Sequence, residues 1–126
     1  MKKVNSVSML AFLTFSLMQS CKKASTDSVT TQTIDATVVS NQTLQLKLGS
    51  VSTTQSVSVD NQATHALVSS VKKDFSAGAT VYTYIPAANY TGTDQVIIKS
   101  VSDTTHSCPN ITKATTIYTV NLTVTK

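Results

Sequence analysis

The sequence predicts an all-β protein: a single antiparallel β-sandwich of about seven strands behind a secretory leader and a short polar tether. Three observations predict it. Apolar residues recur at every second position in several separate runs. Turn-forming residues break those runs roughly every ten residues. The chain is rich in Thr, Ser and Val, and contains no Arg, no Glu and no Trp. β-branched residues fit a pleated, half-buried surface, while the missing residues include good helix formers.

The first element is the leader. Met1-Lys2-Lys3 is a short basic start, and residues 9–18 (MLAFLTFSLM) are mostly apolar. That run is shorter than the roughly 18–20 apolar residues a bilayer crossing needs, and matches the roughly 7–15 residues of a signal-peptide core. No amphipathic stripe is present, and a polar run follows at once, which argues against a buried core helix.

Leu17-Met18-Gln19-Ser20-Cys21 resembles the lipobox of Gram-negative lipoproteins, with an apolar residue at −3, a small one at −1 and Cys at +1. Gln19 departs from the usual −2 residue but is tolerated. The resemblance implies that residues 1–20 are removed and that Cys21 carries a diacylglyceryl thioether and an N-acyl chain. Lys22, where enteric lipoproteins retained in the inner membrane carry Asp, points to the outer membrane; the resemblance leaves the periplasmic or surface face open. Each buried methylene contributes about 0.8 kcal/mol, so two or three chains would hold the protein durably on a membrane.

Residues 22–33 (KKASTDSVTTQT) are polar, without an apolar period. They read as a flexible tether averaging roughly 20 Å. The domain is then expected over residues 34–126.

Within it, Leu44, Leu46 and Leu48 alternate with polar residues, as do Val57 and Val59 and most clearly Tyr118, Val120, Leu122 and Val124, while Tyr82 and Tyr84 alternate with Val81, Thr83 and Ile85. Each run reads as a strand with one buried face. Val96-Ile97-Ile98 lacks clean alternation and reads as a strand covered on both faces or an irregular one. Turns are expected at 40–41, 49–50, 60–61, 76–78, 86–92 and 107–110. No internal repeat marks an array.

The segment 82–94 (YTYIPAANYTGTD) resembles a signature of bacterial immunoglobulin-like and cadherin-like domains. Tyr82, Tyr84, Pro86, Asn89, Tyr90, Gly92 and Asp94 fit it, and so does the final alternating strand. The resemblance covers residues 81–126 and implies an immunoglobulin-like sandwich; it carries almost nothing about ligand. Pro86 would end a strand, Gly92 would allow a tight turn, Tyr90 would plug the core with its hydroxyl on nearby backbone, and Asp94 would accept backbone N–H groups. Asp94 and Asp103 lie one residue further apart than the family pattern, which suggests a β-bulge between them. The loop 102–113 is also longer than the family's hairpin, and long loops at a sandwich end are where such folds place recognition.

Composition narrows the function. After removal of the leader, eight Lys stand against six Asp, a formal charge of +2. Without a basic, aromatic-interleaved stripe, this excludes a nucleic-acid partner. Asp103, His106 and Asn110 are candidate binding residues of the long loop. Asp103, His106 and Cys108 fall one short of the four ligands of a structural zinc site, and no cofactor is expected. Cys108 lacks a placed base and oxyanion hole for nucleophilic chemistry, and reads as a free or semi-buried thiol. The six Asp are too scattered for a calcium cage. Asp27-Ser28-Val29 and Asp103-Thr104-Thr105 resemble a Gram-negative O-glycosylation acceptor, which would place sugar on Ser28 or Thr104.

The expectation is a non-enzymatic lipoprotein of the cell envelope. It would meet the membrane through acylated Cys21 and bind or adhere to protein or glycan. The alternative is a structural or accessory subunit of a larger envelope assembly, which would carry an open edge strand or an apolar patch.

Overall fold

Strand β7 (Lys113–Thr125) shows how alternation becomes a core. Tyr118, Val120, Leu122 and Val124 all point inward and are at most 7% exposed. Its neighbour β6 (Gly92–Asp103) turns Val96 and Ile98 inward and Ile97 outward, so that segment alternates after all. Outward Ile97 is only partly exposed, and this blurred the pattern. The computed structural model describes residues 27–103 and 112–126.

The remaining strands are β1 (Ser28–Val39), β2 (Leu44–Ser50), β3 (Ser56–Asn61), β4 (Ala66–Asp74) and β5 (Ala79–Pro86). They form two sheets, β1-β7-β6-β3 and β2-β5-β4, packed face to face. The fold is all-β and sandwich-like. Between the sheets lies one core of Val38, Leu48, Tyr82, Tyr84, Val96, Ile98, Tyr118, Val120, Leu122 and Val124. Each such side chain contributes about 1.5–3 kcal/mol by leaving water.

Three expectations change. The first strand begins at Ser28, inside the stretch read as tether, because main-chain pairing with β7 orders residues whose side chains stay exposed. That pairing is parallel, so the sandwich is not wholly antiparallel: β1 crosses to the other sheet through the turn 40–43 instead of folding back as a hairpin. The expected bulge between Asp94 and Asp103 is absent from β6, whose register with β7 runs unbroken from Gly92↔Val124 to Asp103↔Lys113. The irregularity sits on the partner strand, where β3 shifts between Val59 and Asn61.

These directions give the sandwich two distinct ends. β1 and β7 begin, and β6 finishes, at what we call the entry end, with the connections 51–55 and 75–78. The turns 40–43, 62–65 and 87–91 lie at the far end. Gly49 sits in a register shift of β2 at φ +92°, where an added Cβ would lie 3.0 Å from the Tyr118 hydroxyl. Any larger residue there meets both backbone strain and a buried ring.

Candidate functional site

The densest polar cluster forms at the far end around Asp94, the third residue of β6. Its position on the inward face puts the carboxylate beneath the 62–65 turn, where it is 8% exposed. Oδ1 accepts the N–H of Thr64 at 2.9 Å and of Gln95 at 3.0 Å; Oδ2 accepts the N–H of His65 at 2.9 Å and the Tyr84 hydroxyl at 3.0 Å. Tyr84 stands on central strand β5 of the opposite sheet, so this last bond ties the two sheets together.

Burial pushes the Asp94 carboxyl upward, but the N–H groups of Thr64, His65 and Gln95 and the Tyr84 hydroxyl outweigh it and hold it below the usual carboxylate range. Burial and the neighbouring carboxylate push the Tyr84 phenol well above its ordinary value. Asp94 is therefore ionised, and both its oxygens are engaged. It serves as a clamp rather than a base.

Tyr90 completes this end. Its hydroxyl donates to the Thr93 carbonyl at 2.6 Å, and its ring stacks on His65 with centroids 4.3 Å apart and planes 5° apart. Gly92, at φ +136°, leaves room for that hydroxyl: an added Cβ would sit 3.1 Å from it. Pro86 ends β5, as the motif implied. Two of the three main-chain donors to Asp94, Thr64 and His65, come from the β3–β4 turn instead of from its own.

Beside the clamp, an open depression of about 540 Å³ lies over the outer face of β6 and β7. Asn61, Gln62, Thr64, Thr93, Gln95 and Asn121 line it, with no aromatic residue in the wall. Next to one another on three strands, Gln95 Nε2 donates to Asn121 Oδ1 at 2.8 Å, and Asn121 Nδ2 donates to Asp35 Oδ1 at 2.8 Å. The two amides offer neutral donors and acceptors in fixed order beside the Asp35 carboxylate, a chemistry that meets sugar hydroxyls or peptide main chain.

Asp103 is exposed at the end of β6, opposite Lys113. His106, Asn110, Thr104, Cys108 and Cys21 lie outside the described residues. Ser28 opens β1 and is exposed. The long connection between β6 and β7 leaves the sheet at the entry end, the end at which β1 begins. Gln95 and Asn121 carried a usable signal, since period two places both on the outward face once Val96 and Val120 are turned inward. Thr64 and His65 carried none, because they act on Asp94 mainly through main-chain N–H groups that any residue but proline has.

Among the described residues no three His, Cys, Asp or Glu side chains gather, and no helix is long and apolar enough to cross a membrane. Compared with protein-family models, curated proteins and solved structures, the chain matched nothing.

Proposed function

We propose that the protein is a lipid-anchored, non-catalytic binding module of the cell envelope, held on a membrane by acylated Cys21 and carrying one immunoglobulin-like sandwich. The observation that supports this best is the order of parts: basic start, apolar leader, a Cys in lipobox context, and a first strand opening at Ser28. The seven residues from Cys21 to Ser28 reach at most about 25 Å, which keeps the entry end near the head groups. Strand order supports the immunoglobulin-like reading, since β2-β5-β4 faces β7-β6-β3 as strands B-E-D face G-F-C, with the first strand moved across.

This geometry shifts the binding surface. With the anchor at the entry end, Asp103 and Lys113, the strand ends that flank His106 and Asn110 in sequence, lie at the end nearer the membrane. The Gln95–Asn121–Asp35 row and the far-end turns remain open to a protein or glycan partner. A specific observation favours the accessory-subunit reading as well: β1 is a long strand whose outer edge no strand among the described residues covers.

The test is intact mass and membrane sedimentation of wild type against Cys21→Ala. Processing at Cys21, added acyl mass and sedimentation lost in the mutant are the expected results. Two soluble, identically processed forms would overturn the anchor. Loss of glycan or protein retention in Gln95→Ala/Asn121→Ala, with membrane attachment intact, would place the partner on the amide row.

A further inference from the structure

Four strands close the edges of the two sheets: β1 and β3 in one, β2 and β4 in the other. Three of them are protected against pairing with another chain. β2 breaks register between Lys47 and Ser50 and carries Lys47; β3 is six residues long and breaks between Val59 and Asn61. β4 breaks between Ala66 and Val68 and carries Lys72 and Lys73. Bulges, lysines and short length are the devices that blunt sheet edges. β1 has none of them. It runs twelve residues in unbroken register with β7, has neither Lys nor Pro, and its one charge is Asp35.

The direction of its free groups follows from one bond. The Ser40 N–H donates to the Thr125 carbonyl at 2.8 Å, so even-numbered residues of this strand address β7. Val29, Thr31, Thr33, Asp35 and Thr37 therefore turn their N–H and C=O outward, where no strand among the described residues meets them. The next odd residue, Val39, already gives its carbonyl to the Gln42 N–H at 3.0 Å, which caps the row. The side chains of the five residues are all exposed.

We infer that this edge is a self-association surface, on which two copies of the chain pair β1 against β1, antiparallel and centred on Thr33. That register matches Val29 with Thr37, Thr31 with Asp35 and Thr33 with itself, so all five outward residues of each copy are bonded. Each Asp35 then faces a Thr31 hydroxyl. Shifting the centre to Asp35 would set the two carboxylates directly opposite, which is unfavourable. A second copy suits this edge better than a foreign donor strand. Val38, Val120 and Leu122 are at most 6% exposed, so the core has no open slot for inserted side chains, and what remains is main-chain pairing flanked by Thr and Val. The inference does not depend on the lipid anchor.

The experiment uses the full chain in detergent micelles, in a Cys108→Ser background, with sedimentation velocity from micromolar to millimolar concentration. The expected result is a monomer–dimer equilibrium. Thr33→Cys should form a disulfide to itself, located by mass spectrometry; Thr37→Cys should do so only when mixed with Val29→Cys. Thr33→Pro removes an outward N–H while sparing the β7 ladder, and should weaken dimerisation at least about tenfold. Should its circular dichroism show misfolding, Thr33→Lys serves instead, setting two ammonium groups across the axis. A wild type that stays monomeric throughout, a Thr33→Cys that never links, or a dimer untouched by both Thr33 variants would overturn the proposal.

Discussion

At the far end a carboxylate, Asp94, gathers three main-chain N–H groups and the Tyr84 hydroxyl; at the entry end an amide, Gln55, occupies the corresponding place. Gln55 is 9% exposed, donates to Ser100 Oγ at 2.7 Å, and accepts the Ser52 N–H at 3.2 Å, while its own carbonyl takes the Lys73 ammonium at 2.8 Å. Asp94 and Ser100 stand on the same inward face of β6. One strand thus anchors both closures, one through a buried carboxylate and the other through an uncharged side-chain pair, Gln55 and Ser100. Charge-assisted bonds are shorter and roughly twice as strong as neutral ones, but they fail when the carboxylate takes up a proton. The far end should therefore be the more strongly held of the two and the one sensitive to acid.

Asp94→Ala should break the comparison hardest. It orphans several donors at once and should cost about 3–5 kcal/mol in urea unfolding, with the midpoint falling and the slope unchanged. Tyr84→Phe removes the hydroxyl's bond to Asp94 between the sheets, with its longer contact to the His65 carbonyl, and should cost about 1.5–3 kcal/mol. A double-mutant cycle with Asp94→Asn should show the two costs coupled. Gln55→Ala, the entry-end counterpart, should cost about 1 kcal/mol by the same assay. A loss as large as that of Asp94→Ala would mean that the two ends are equivalent.

Acid sharpens the contrast without an Asp94 substitution. The folded Asp94 pKa lies below its unfolded value, so its contribution is fully present above the ordinary carboxylate range. It is lost as pH falls through the folded value. Melting temperature should then drop below about pH 4 in wild type and in Gln55→Ala, and follow a flatter line in Asp94→Asn.

How far the sequence carries depends on which kind of bond makes the structure. Elements built on side-chain burial were legible: β2 in Leu44, Leu46 and Leu48, β5 in Tyr82 and Tyr84, β7 from Tyr118 to Val124. Elements built on main-chain pairing were not. Residues 28–33 bury nothing, so no period marked them, and only the ladder with β7 shows that they form a strand. The Asp94 clamp was half legible, since the motif suggested a carboxylate accepting N–H groups but could not say that Thr64 and His65, thirty and twenty-nine residues away, would supply them. The amide row needed the register of three strands before Gln95, Asn121 and Asp35 came together.

The parallel pairing of β1 with β7 has a mechanical consequence. The chain enters at the start of one strand and runs out along the other toward the opposite end, so a pull between the two draws them past each other lengthwise. The ladder bonds within the register from Ser28↔Ala114 to Val39↔Thr125 lie across that pull and bear it together, rather than parting one after another as in a hairpin peeled from its tip. A load of this kind meets the whole ladder at once.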